Sequence, residues 1–76
     1  MVSIVMNEKA IRALDRAIGM FGSVRALARE IGFSPNSIPY WKHHGKKGVP
    51  GEACVAIERV TSGQVRAKDL RPDLYP

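Results

Sequence analysis

Only one cysteine, Cys54, occurs in the 76 residues, so no internal disulfide can brace this chain. Such sparing use fits a reducing compartment, and the cytoplasm is the expected location. Long apolar runs are missing too; none approaches the ~20 residues that a membrane-crossing helix needs. The opening MVSIVM is apolar but short and lacks a cleavage region, so neither export nor membrane insertion is expected. Apolar and polar residues do not alternate convincingly as in a strand, except at the extreme N-terminus. The most informative gap is in charge. From Ile31 to Gly51 there is no acidic residue, against Lys42, Lys46, Lys47 and the pair His43-His44.

What is present describes one small domain. A chain of this length buries only about 60% of its unfolded surface, which leaves little room for a deep catalytic pocket. At 45% hydrophobic and 25% charged residues, it has the composition of a folded globular protein. Twelve Lys and Arg against seven Asp and Glu give +5, which favours polyanionic partners. The excess is uneven. Residues 1–30 hold five basic and three acidic side chains, whereas residues 52–76 hold four of each. The middle segment therefore carries the strongest local imbalance.

Apolar spacing predicts an all-α fold of four to five short helices. Ile11, Leu14, Ile18 and Phe21 recur at three and four, with Asn7 as N-cap and Gly22 as terminator. Ser23 caps a second helix with Leu27, Ala28 and Ile31 inward and Arg25, Arg29 and Glu30 outward; Gly32 stops it. A further helix starts at Val49-Pro50 and runs to about Thr61, with Cys54, Ile57 and Val60 on one face. One last turn is expected from Ala67 to Leu70, broken by Pro72. Residues 7–76 then form a single domain, and residues 1–6 an N-terminal extension, with Met6 an alternative start.

Between these helices lies SVRALAREIGFSPNSIPYW, which has the spacing of a helix-turn-helix. Ala28 is small enough for two helices to cross closely, Gly32 supplies the positive φ of the turn, and Phe33, Ile38 and Trp41 are placed to face a core. The two prolines, Pro35 and Pro39, complicate the second helix. With Ser34 as cap, Pro35 is harmless at the first position, but Pro39 falls at the fifth and loses a ladder bond. The alternative is a helix that begins near Asn36 or Ser37. In either case the exposed face holds Pro35, Asn36, Pro39, Tyr40 and His43.

Residues near the start of such a helix reach base edges in the major groove of DNA. Those five are the candidate base-reading residues: Asn36 for adenine N6 and N7, the prolines for thymine methyls, and Tyr40 for a methyl, sugar or phosphate. Phosphate contacts are expected from Ser23, Val24 and Arg25 at the start of the preceding helix, and from Ser37, Lys42, His44, Lys46 and Lys47. Other chemistries find little support. GKKG lacks the spacing of a P-loop, His43-His44 has no partner ligands for a metal, and Cys54 has no base beside it in sequence. No catalytic residue, cofactor, metal or small-molecule ligand is expected.

Three segments carry a family resemblance: GSVRALAREIGFSP, VPGEACVAIERVTSG and the ending DLRPDLYP. From Ala10 to Tyr75 the chain resembles the phage-type repressors of the Cro/CI superfamily, in particular the YdaS/Cro-like group, whose members read close to VPAERCPAIERATGG and ELRPDLF. The resemblance implies a λ-repressor-like bundle that binds palindromic operator DNA, usually as a homodimer, and represses transcription. It also implies an alternative, since some members are antitoxins of toxin–antitoxin pairs. Two departures fall on the surface that would face DNA: Pro39-Tyr40, where relatives have small or polar residues, and the longer link KHHGKKG. For pairing of subunits, Leu74 and Tyr75 rank ahead of Val2, Ile4 and Val5. The competing reading makes DLRPDLYP a strap packed on its own domain.

Overall fold

Five helices account for the regular structure. The computed structural model describes residues 8–43 and 48–75. In chain order these are α1 (Glu8–Phe21), α2 (Val24–Ile31), α3 (Ser37–His43), α4 (Gly51–Val60) and α5 (Ala67–Leu70). No strand occurs among the described residues, so the all-α expectation holds. α1 packs against α2 and α5, α4 packs against the same two helices, and α3 rests on α2.

Alanines let α1 sit this close to its neighbours. Ala10, Ala13 and Ala17 are buried beside Leu14, one face with spacings of three and four. The larger Ile11, Ile18 and Phe21 lie at the edge of the core, only partly covered. The sequence reading chose the large residues and left out the alanines that carry the tightest contacts. The inner core is formed by Leu14, Leu27, Ile38, Ile57 and Leu70, each at most 2% exposed. Burying such a side chain stabilises the fold by about 1.5–3 kcal/mol.

Helix ends follow local chemistry. The Ser23 hydroxyl accepts from the Ala26 N–H at 3.0 Å, and Gly32 closes α2 at φ 80° with its N–H on the Ala28 carbonyl. Asn7, the expected cap of α1, lies outside the described residues. At the far end of α4 the buried Thr61 hydroxyl donates to the Ile57 carbonyl at 2.8 Å and accepts from the Val65 N–H at 3.1 Å. Glu58 then receives the Ala67 N–H at 2.7 Å, so a side chain of α4 caps the start of α5.

Residues 71–75 strap the molecule. The Arg71 guanidinium donates to the Val49 carbonyl at 3.0 Å and grips both oxygens of Asp73 at 2.9 and 2.7 Å. Tyr75 packs at the core edge with its hydroxyl 3.4 Å from the Gly51 carbonyl. A Cβ on Gly51 would stand 3.4 Å from that hydroxyl and 3.6 Å from Leu74, an ordinary contact, so the strap leaves room for one more carbon there. The strap reading of DLRPDLYP describes Arg71 and Tyr75; Leu74 stays 48% exposed.

Candidate nucleic-acid interface

α2 and α3 are joined by a turn that fixes their crossing. Both the Gly32 and Phe33 N–H groups bond to the Ala28 carbonyl at 2.9 Å, which directs the chain off the helix end. Phe33 then meets Trp41 edge to face, ring centroids 5.3 Å apart and planes at 77°. With Ile38 fully buried and Trp41 5% exposed, α3 is anchored along its inner face.

The second helix begins later than a Ser34 cap would put it. Residues 34–37 form a turn, the Ser37 N–H bonding to the Ser34 carbonyl at 2.9 Å while the Ser34 hydroxyl accepts from the Asn36 N–H at 3.3 Å. The first helical bond in this region runs from the Tyr40 N–H to the Asn36 carbonyl at 3.3 Å. Pro39 therefore occupies the third helical position, where an N–H would have no helical acceptor. The helix start has moved so that neither proline loses a ladder bond. Of the two alternatives, the one beginning near Ser37 is correct.

Outward from these anchors, Pro35, Asn36, Pro39, Tyr40 and His43 are all exposed, with Tyr40 at 56%. Positions 36, 39, 40 and 43 recur at three and four, so they form one ridge along α3. Ser37 is half-buried. At the start of α2, Ser23 and Arg25 are exposed and Val24 is half-buried. The N–H groups of Val24 and Arg25 have no helical carbonyl to bond. Lys42 is already engaged: its Nζ lies 2.6 Å from Asp15 Oδ1, tying α3 to α1. An acid 27 positions away left no trace in the sequence pattern. His44, Lys46 and Lys47 lie outside the described residues.

Cys54 is fully buried, its Sγ directed at the Val49 carbonyl. Burial raises the thiol to about 11, and the nearby Arg71 charge offsets only part of that. It is a packed thiol, protonated at neutral pH. Arg71 itself was missed as a structural centre; the only hint was its position in the distinctive DLRPDLYP.

Comparison with known proteins bears on this arrangement. A family described as "Bacterial toxin YdaS" matches residues 14–76, which include all of α2 to α5. The chain belongs to this family. It is also 42% identical over 62 residues to a candidate transcriptional regulator, YdaS of Escherichia coli (strain K12). That alignment covers 82% of this chain and 62% of the relative, so the chain spans less than two thirds of the relative's length. No solved structure matches the chain significantly. The YdaS/Cro-like resemblance read from the sequence is thus confirmed at the level of family, and the family's description names a toxin where the resemblance implied an antitoxin. No described helix is long and apolar enough to cross a membrane.

Proposed function

We propose that the chain is a sequence-specific DNA-binding regulator of transcription, acting in the cytoplasm as a phage-type repressor. Two subunits would bind a palindromic operator, placing α3 in successive major grooves about 34 Å apart. The observation that carries this reading is the division of α3. Ile38 and Trp41 hold it to the core while Pro35, Asn36, Pro39, Tyr40 and His43 form an exposed ridge without a carboxylate. Asn36 and Tyr40 would read bases, and Ser23, Val24, Arg25, Ser37, His44, Lys46 and Lys47 would hold phosphates. Lys42 would do so only by exchanging Asp15 for a phosphate. The similarity to a candidate transcriptional regulator supports the same class of activity.

A second reading is favoured by the family description, a role in a toxin–antitoxin pair in which the chain binds a protein partner as well as DNA. Selection of bound sites from random duplex DNA tests the first reading. Enrichment of a two-fold symmetric motif supports the regulator. A folded chain that enriches no motif rejects sequence-specific binding and leaves the partner role.

A further inference from the structure

A second basic surface lies away from the α3 ridge. Lys9, Arg12 and Arg16 occupy one stripe of α1 on the flank that faces α5, and Lys68 of α5 stands across from them. Together with Ala13, Asp69 and Pro72 they line a groove of about 300 Å³. Asp15, next along α1 from this stripe, is held by Lys42 of α3. None of the residues that line the groove belongs to α3.

The charges in the groove are poorly compensated. Arg12 meets Glu8 at 3.2 Å, a pair whose side chains are 71% and 80% exposed and open to competition. Arg16 approaches Asp69 only to 3.9 Å, and that carboxylate already accepts the Arg66 N–H at 3.0 Å. Lys9 and Lys68 have no acidic partner among the described residues. Like charges three and four apart on a helix repel, so this stripe weakens α1 while nothing occupies it. Its floor of Ala13 and Pro72 is apolar and rigid, suited to side-chain methylenes. Asp69 at its edge would oppose an unbroken line of phosphates.

We propose that this groove binds an acidic peptide segment of a protein partner, its carboxylates paired with Lys9, Arg12, Arg16 and Lys68. The test uses a fluorescent oligo-glutamate peptide as probe and anisotropy as readout. The paired variant Lys9→Glu with Lys68→Glu is compared with Arg25→Glu with Arg59→Glu, exposed residues outside the groove lining that make the same change in net charge. The groove variant should lose about tenfold in peptide affinity and the other about twofold or less, since only close charges are strongly coupled. Affinity for random duplex DNA should fall by about twofold or less in the groove variant, the general effect of net charge. Circular dichroism melts should match wild type, as both replaced lysines are exposed. No binding by the wild-type chain, or equal loss in both variants, would overturn the proposal. A tenfold loss of DNA affinity in the groove variant, not matched by the other, would instead assign the groove to DNA.

Discussion

Asn36 does two things at once. Its carbonyl accepts the first helical bond of α3, while its side chain stands exposed at the helix start. Replacing it with alanine should remove preference at one base pair per half-site, about 1–3 kcal/mol, and leave affinity for random duplex nearly intact. Competition binding against single-base operator variants would show this; a uniform loss on every sequence would make Asn36 a positioning residue. A different kind of prediction attaches to Asp73. Hydrogen bonds from Arg71 hold its carboxyl down to about 2 from the usual 3.8. A depressed carboxylate adds stability above its unfolded value and loses it as pH falls through the folded one. Melting temperature should therefore decline between about pH 4 and 2, and Asp73→Asn should flatten that decline. Cys54 has the opposite sign. Its thiol is raised to about 11, so its contribution is complete below the ordinary thiol range and disappears as pH climbs towards that value.

Among the elements, α3 best shows what sequence can and cannot tell. Its anchors Ile38 and Trp41, its exposed ridge and its glycine turn were all legible, because spacing and side-chain chemistry determine them locally. Its starting residue was not, since two prolines permit more than one register and only packing chooses between them. The bound choice makes a test. With Pro39 at a position that needs no N–H, Pro39→Ala should change stability by less than about 1 kcal/mol, against ~3 kcal/mol for a proline in a helix interior. A chemical melt that shows a gain near the larger figure would restore the Ser34 cap. α1 gives a complementary lesson. Its helix was plain from Ile11, Leu14 and Ile18, yet its closest packing uses Ala10, Ala13 and Ala17, residues too common to draw notice. The Lys42–Asp15 link was illegible for a simpler reason, the separation of 27 positions between its partners.

At the scale of the molecule, the C-terminal strap turns one of its apolar side chains to the core edge and the other to solvent. Tyr75 packs at the core edge, whereas Leu74 is 48% exposed. Leu74→Ala should therefore keep the melting temperature within a few degrees of wild type. If this face joins two subunits, sedimentation should show a weaker dimer. Tyr75→Ala should lower the melting temperature by itself, roughly 4–8 °C for each kcal/mol lost in a domain this small. An unchanged dimer in Leu74→Ala would move the pairing surface elsewhere.

The contact between α1 and α5 also bears on how the protein is made. The face that α1 buries is completed by Leu70 and its neighbours, and Arg71 reaches back to Val49 only after most of the chain has been synthesised. At a translation rate of about 5–20 residues per second, α2 follows within a second or two, but the flank of α1 that α5 covers waits several seconds for its partner. During that interval this flank stays uncovered. The core can close only once α5 has left the ribosome, so a nascent chain stalled before Ala67 should be degraded rather than stored.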